Sequence, residues 1–334
     1  MLNMDVTPKI SIAIITYNRA RELKIALINI IREIRSLPDG LIEIVISDNA
    51  SDDDTEQVVN AFGNRHIKYH RNEVNVGGAE NVLLACARSK GEFVLFHADD
   101  DLLCENAIEV LLDMIVKHPE VGVISSSLIA FNEDEPDKPL RQLRFPSHCP
   151  ILYLKKENGE ALGSLFLRAC NFSGLVIKRD LLDFQGARAG VESMYPQIYL
   201  VGAACKKADA IYLSEPLMKL RLERKRRWNY TTDYMSGAMF SILNSLIKDE
   251  DWGGKVRKQI IRKRILAAYG PLLTARDDSW KAFGETANGF FKVAEYRKSR
   301  LFWCMVAGIG LLGSKGIRAV RRIWNGPKGA DVIS

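Results

Sequence analysis

Hydrophobic and polar residues come in blocks along the first two thirds of the chain, and the blocks end alike. Residues 9–15, rich in isoleucine, read as a buried strand that stops at Thr16, Tyr17 and Asn18. Leu23, Ala26, Leu27, Ile30, Ile31 and Ile34 then recur at helical spacing, so a helix follows the loop. Ser36-Leu37-Pro38-Asp39-Gly40 breaks it. A second strand over 41–46 runs into Ser47-Asp48-Asn49-Ala50-Ser51-Asp52. The pattern next predicts a helix over 54–62, a short strand over 67–70, a loop over 72–78, and a helix through Asn81, Leu84 and Ala87.

A further apolar run, 91–96, ends abruptly at His97-Ala98-Asp99-Asp100-Asp101. Beyond it the spacing predicts a helix over 102–117, whose start Asp101 favours, and a strand over 121–124. The polar, proline-bearing stretch 132–150 reads as a surface loop. A strand over 172–177, a helix through Ile198, Leu200, Val201 and Cys205, and strands over 210–213 and 217–220 make a second α/β stretch. Strands alternating with helices imply an α/β fold, with a parallel sheet joined by right-handed crossovers. Three strands end in polar clusters that would share one sheet edge, where such folds bind ligands.

From residue 221 the pattern turns helical, with helices expected over 232–248, 254–273 and 279–297. Two regions are expected, 1–220 and 221–334. An apolar run over 301–313 is flanked by Arg297, Lys298 and Arg300 before it and by Lys315, Arg318, Arg321 and Arg322 after it. A bilayer-spanning helix needs about 20 apolar residues, so this run reads as a segment lying in a membrane interface or as an ordinary buried helix. Charge strengthens the division: residues 1–212 hold 23 Lys and Arg against 30 Asp and Glu, whereas residues 213–334 hold 24 against 11. The basic run Arg221-Leu222-Glu223-Arg224-Lys225-Arg226-Arg227-Trp228 could face anionic lipid or an acceptor's diphosphate, or be a solvated helix face.

The 6 cysteines are scattered, without Cys-x-x-Cys pairs, which suggests neither a zinc site nor a disulfide framework and fits a reducing compartment. Residues 1–9 carry no apolar stretch of signal-peptide length, so a cytoplasmic location at the inner face of the cell membrane is expected. No Gly-x-Gly-x-x-Gly or Gly-Lys-Ser/Thr signature occurs, which disfavours dinucleotide and P-loop chemistry. Aromatic residues are not interleaved with the basic ones as a nucleic-acid groove requires, apart from Trp228 and Tyr230. Asp99 and Asp101, as alternate carboxylates, could converge on one hard divalent cation; the competing reading is a solvated acidic turn. Gly77 and Gly78 could let the backbone approach a phosphate or sugar.

Taken in order, Ile14-Ile15-Thr16-Tyr17-Asn18-Arg19, Ile46-Ser47-Asp48-Asn49-Ala50-Ser51-Asp52, Asn75-Val76-Gly77-Gly78 and Asp99-Asp100-Asp101 resemble the family 2 glycosyltransferases of GT-A fold. With Asp-Asp-Asp-Leu and the later Phe-Ser-Gly-Leu-Val, the chain is similar to bacterial enzymes that build O-antigen or other surface polysaccharides on a lipid carrier. The resemblance implies a Rossmann-like, mostly parallel mixed sheet, a nucleotide-diphosphate sugar donor, Mg²⁺ or Mn²⁺, and a lipid-linked saccharide acceptor. By it Thr16, Tyr17 and Asn18 lie beside the nucleotide, Asp48 recognises the base, and Asn75, Gly77 and Gly78 lie near nucleotide and sugar. Asp101 would hold the metal, and Asp99 the ribose or metal. Many relatives carry an acid or Ser where His97 stands, and a packed strand-end histidine is the competing reading there.

An inverting transfer needs a carboxylate to take the acceptor's proton. Glu192 best matches the family's position for it, although the family's Glu-Asp pair is absent; Asp180 and Asp183 are the reserves. Membrane contact is expected through 221–228 and 297–322, and nucleic acid is not expected as a partner. Two rival readings stay open: a nucleotidyltransferase, which would carry a glycine-rich first loop, and a non-enzymatic basic membrane binder, which leaves the strand-end acids unexplained. Donor sugar, linkage and oligomeric state are not legible in the chain.

Overall fold

A computed structural model describes residues 7–132, 135–143, 149–190, 195–222, 232–247 and 254–325. The chain divides into two compact units, residues 1–227 and 228–334. The first is built on a sheet whose strands are β1 (Ile10–Thr16), β2 (Ile42–Asp48), β3 (Ile67–Arg71), β4 (Phe93–Ala98), β5 (Leu102–Leu103), β6 (Val121–Asn132), β7 (Glu135–Leu143), β8 (Ile151–Leu154), β9 (Val176–Lys178) and β10 (Asp209–Leu222). Its order is β3-β2-β1-β4-β9-β6-β10-β5, with β7 on β6 and β8 on β10. The pairings make β3, β2, β1, β4, β6 and β10 run in one direction and β5, β7, β8 and β9 in the other, so the sheet is mixed and mostly parallel.

Helices α1 (Ala20–Ile34), α2 (Thr55–Ala61), α3 (Gly78–Arg88), α4 (Ala107–Lys117), α5 (Glu160–Leu165), α6 (Phe184–Gly190) and α7 (Pro196–Lys207) connect these strands. Strands β1 and β2 are buried almost throughout, which is why they read as unbroken apolar runs rather than alternating ones. Helix α1 packs Leu23, Leu27, Ile30 and Ile34 into the core these strands form. In register, Thr16 pairs with Asp48, Ile15 with Ala98 and Asp48 with Arg71. The loops after β1, β2, β3 and β4 therefore open at one edge.

Several local expectations change. Residues 102 and 103 are not the start of a helix: they form β5, antiparallel to β10, and α4 begins only after Asn106, whose φ of 60° interrupts the chain. The stretch 132–150 contains a strand, because β6 runs on to Asn132 and β7 folds back along it. Its prolines fit a strand that, among the described residues, pairs with β6 alone. The segments 210–213 and 217–220 are one strand, β10, joined across an irregularity between Leu213 and Met218. Strand β9 is shorter than 172–177 and antiparallel to β4. Gly174 takes φ +82°, and a Cβ there would meet Met218 Cγ at 2.8 Å. Arg221, expected to open the helical region, instead ends the sheet within β10.

The second unit is helical: α8 (Thr232–Leu246), α9 (Lys255–Ala267), α10 (Tyr269–Asp278), α11 (Trp280–Phe291), α12 (Ala294–Arg297) and α13 (Arg300–Asn325). Its core is aromatic. The Tyr296 ring lies 5.7 Å from Phe240, 4.8 Å from Phe290 and 5.2 Å from Phe302, and its hydroxyl donates to the Arg264 carbonyl at 3.2 Å. Helix α13 is broken at Gly313, which has φ 57°.

Candidate active site

The loop after β1 is tied to the loop after β2 by hydrogen bonds that the polar residue types make possible. Asn18, at φ 53°, donates its backbone N–H to Ser51 Oγ at 2.9 Å and accepts the Asp52 N–H on Oδ1 at 2.7 Å. Tyr17 is exposed beside them. Asp48 is fully buried. Its Oδ1 accepts the Ser51 N–H at 3.0 Å and hydroxyl at 2.5 Å, and its Oδ2 accepts the Tyr69 hydroxyl at 2.5 Å. Burial and this bond hold the Tyr69 phenol above its ordinary pKa. In this conformation Asp48 joins the end of β2 to β3 and to the loop that follows β2.

A buried amide network fixes the third loop. Asn81, on α3, accepts the Ser47 hydroxyl at 2.7 Å and Asn72 Nδ2 at 3.0 Å on Oδ1, and donates to the Ser47 carbonyl at 2.9 Å. Asn49 donates to Asn75 Oδ1 at 2.8 Å and accepts the Val76 N–H at 2.9 Å. Asn75 also accepts the Gly77 N–H at 2.9 Å. Gly77 needs its glycine, since φ is +83°, whereas Cβ atoms at Gly77 and Gly78 would meet nothing within 4 Å. That open space leaves the N-terminus of α3 accessible to a ligand.

The acid triplet ends β4 and divides its labour. Asp100 receives Arg19 Nη2 at 2.8 Å, and Arg19 Nη1 stands 3.4 Å from Asp99 Oδ1. Asp101 accepts the Ser173 hydroxyl at 2.5 Å on Oδ2 and the Arg221 N–H at 2.9 Å on Oδ1. Ser173 in turn accepts the Ala98 N–H at 2.9 Å, so one hydroxyl holds both the strand end and the carboxylate. Asp99 and Asp101 are each only 4% exposed. Burial pushes Asp99 up to about 7, opposed by Arg19 and reinforced by Asp100; burial and then Asp100 push Asp101 up to about 8. Thr16 is also buried, at the end of β1, and its hydroxyl makes no hydrogen bond to a described residue.

Such a pair of carboxylates is short of positive charge, and hard oxygens suit a divalent cation. Among the described residues no group of three or more His, Cys, Asp or Glu side chains could hold a metal. A cation held by these two carboxylates would complete its shell from a ligand's phosphates and water. His97 is not a ready ligand: it is sealed, its Nδ1 meets the Ala98 carbonyl at 2.6 Å, and burial pushes its pKa down to about 4.

Thr16, Tyr17, Asn18, Asp48, Asn75, Gly77, Gly78, Asp99 and Asp101 thus all lie in loops or strand ends at one edge of the sheet. Glu192 lies outside the described residues. Of its reserves, Asp180 follows β9, whose Lys178 pairs with Phe93 at the start of β4, so it sits at the opposite edge. Asp183 receives the Gly186 N–H at 2.8 Å and the Tyr199 hydroxyl at 3.0 Å and serves α6 and α7. Ser173, Arg221, Arg19, Asn49 and Asn81 are parts of the site to which the sequence assigned no such role. Arg19 and Asn49 stand inside the first two motifs and Ser173 inside Phe-Ser-Gly-Leu-Val, whereas Asn81 read only as part of a helix and Arg221 as part of a basic run.

The sheet, its edge and these loops define a nucleotide-sugar transferase type of fold. The model for glycosyl transferase family 2 matches residues 11–180, and the chain belongs to this family. Abequosyltransferase RfbV of Salmonella typhimurium is 27% identical over 229 residues, which cover 64% of this chain and 66% of the relative. The GalNAc(5)-diNAcBac-PP-undecaprenol beta-1,3-glucosyltransferase of Campylobacter jejuni is 33% identical over 108 residues, 31% of this chain and 34% of the relative. The chain thus spans just under two thirds of the first relative and about a third of the second. In fold it is similar to S. aureus TarS 1-349 (TM-score 0.55, 17% identity, 91% of this chain and 79% of that one). It is also similar to the mannosyltransferase PcManGT of Pyrobaculum calidifontis, solved with GDP-Man and Mn²⁺ (TM-score 0.51, 18% identity, 91% and 87%). The GT-A architecture expected from the motifs is the one observed.

Proposed function

We propose that this chain moves a sugar from a nucleotide-diphosphate sugar to a saccharide acceptor on a lipid carrier, in the assembly of a bacterial surface polysaccharide. One observation carries the reading: two carboxylates, sealed at 4% exposure and raised by burial above their ordinary range, stand where three further loops open. In this reading Thr16, Tyr17 and Asn18 line the nucleotide, and Asp48 keeps Tyr69 and Ser51 in place around the base and meets it once Tyr69 turns. Asn75, Gly77 and Gly78 offer backbone groups to the diphosphate and sugar, at the N-terminus of α3. Asp101 and Asp99 would hold Mg²⁺ or Mn²⁺. When bound, that ion offsets the charge of the departing diphosphate. Glu192 takes the acceptor's proton as its hydroxyl attacks the anomeric carbon, and the sugar is inverted.

The printed names of the relatives support the substrate classes: an abequosyltransferase, and a glucosyltransferase whose name contains an undecaprenol-linked saccharide. TarS has been solved with UDP-GlcNAc. The lipid carrier implies a membrane surface, met through 221–228 and 297–322 on the cytoplasmic side. Calorimetry of the full chain against UDP-, GDP- and CDP-sugars, with and without Mn²⁺, tests the reading. One donor should bind in a cation-dependent way, Asp101→Ala should abolish that dependence, and Glu192→Gln should lower turnover while leaving donor binding within about twofold. Donor binding unchanged by EDTA and by Asp101→Ala would overturn the assignment of the acids.

A further inference from the structure

Helix α13 has two unlike sides. Phe302 and Ile309 are buried in the aromatic core of the second unit, whereas Trp303, Ala307 and Leu311 recur every four residues away from them and face outwards. Leu311 is 84% exposed and Trp303 44%. Helix α11 extends this surface: its Phe291 ring lies 5.5 Å from Trp303, and its Trp280, 61% exposed, lies against Gly310 at the other end of the pair. The result is an apolar face across two helices, with an aromatic ring at either end.

Basic groups border it. Arg297 stands over the Phe291 ring at 5.9 Å and Arg276 over the Trp280 ring at 3.8 Å, and Lys298, Arg300 and Lys315 are exposed nearby in sequence. The stretch Arg300–Ile317 is long and apolar enough to cross a membrane, and only 17% of it is buried. Its contacts oppose a crossing. Arg276 Nε donates to the Gly310 carbonyl at 3.1 Å and Asp277 Oδ1 accepts the Ser314 N–H at 3.2 Å, so a spanning α13 would carry both charges into hydrocarbon.

We infer that the face formed by Trp280, Phe291, Trp303, Ala307 and Leu311 seats the second unit flat on an anionic lipid bilayer. The rings and Leu311 enter the headgroup boundary, and the bordering Arg and Lys groups meet the lipid phosphates. Charge complementarity selects this occupant over a second copy of the chain, whose equally basic rim would oppose it. The inference rests on the proposed membrane association and narrows it to a surface that includes α11, outside residues 297–322, and leaves out Phe302 and Ile309.

The test is co-sedimentation of the full chain with vesicles of phosphatidylglycerol and phosphatidylcholine, and of phosphatidylcholine alone, at low and high salt. Tryptophan quenching by brominated lipid and the mass in solution are read alongside. The wild type should bind the anionic vesicles, with quenching, and lose affinity in salt. Leu311→Glu and the pair Trp303→Glu, Leu311→Glu should bind at least tenfold more weakly, with unchanged circular dichroism and unchanged affinity for the nucleotide sugar. If the wild type binds and both variants bind equally well, the face is wrong while membrane association stands. If the wild type binds no vesicle, both are wrong. Self-association that the variants abolish, without vesicle binding, would assign the face to a second copy instead.

Discussion

Ser173 should control the cation affinity of Asp101 without touching a ligand itself. Ser173→Ala removes the hydroxyl that donates to Asp101 Oδ2 at 2.5 Å and accepts the Ala98 N–H at 2.9 Å, in a site where Ser173 is 2% exposed. A hydrogen bond to a neutral group contributes about 0.5–1.5 kcal/mol, and the stranded Ala98 N–H costs about 1–3 kcal/mol. Because the hydroxyl favours ionised Asp101, its loss moves that carboxyl still further above its ordinary range. Two effects follow: a stability loss of about 2–4 kcal/mol, and a Mn²⁺ affinity at pH 7 that falls by about tenfold, since each 1.4 kcal/mol is a factor of ten.

Urea denaturation measures the first effect and Mn²⁺ titration across pH the second, where the binding curve should move to higher pH. A purely structural role would cost stability but leave the pH dependence of binding unmoved. Repeating the substitution in an Asp101→Asn background isolates the pair. If Ser173→Ala costs as much there as in the wild type, or if Mn²⁺ affinity stays within twofold of wild type, the positioning role is refuted.

Two further outcomes are expected. Burial raises the Asp99 and Asp101 carboxyls together well above their ordinary 3.8 in the folded chain, so their contribution to stability is complete in acid and is lost as pH rises through the raised range. The melting temperature of the cation-free chain should therefore fall between pH 5 and 8.5, Asp101→Asn should flatten that fall, and a flat wild-type profile would contradict the assigned shifts. Asn81→Ala strands Ser47 and Asn72 and should destabilise the chain by about 2–3 kcal/mol. With the third loop loosened, its KM for the nucleotide sugar should rise more than its kcat falls, and steady-state kinetics showing the reverse would exclude the loop-holding role.

What could be read in the chain depended on how local the cause was. The order of strands and helices through residue 98 follows from apolar periodicity, because β1, β2 and β4 are buried on both faces and their polar ends are abrupt. The antiparallel strands were hidden for the opposite reason. Strand β5 is two residues long and exists only because β10 lies beside it, and β7 is a charged, proline-bearing segment held by β6. No property of residues 102–103 or 135–143 taken alone announces such a partner. Ser173 and Asn81 were illegible in the same way, since their roles lie in partners 72 and 34 residues distant.

The acid triplet shows how the two kinds of information meet. Spacing alone made Asp99 and Asp101 a pair and left Asp100 without a role. Arg19 supplies it: the guanidinium is held by Asp100 and so stands beside Asp99, where it offsets part of the charge that burial makes costly. Asp101 has no such cation among the causes that lower its pKa, only the Ser173 hydroxyl and the Arg221 N–H. Of the three carboxyls it is therefore the one most short of positive charge. In the proposed reading a divalent cation is drawn to Asp101 first, with Asp99 free to share it or to turn to the donor's ribose.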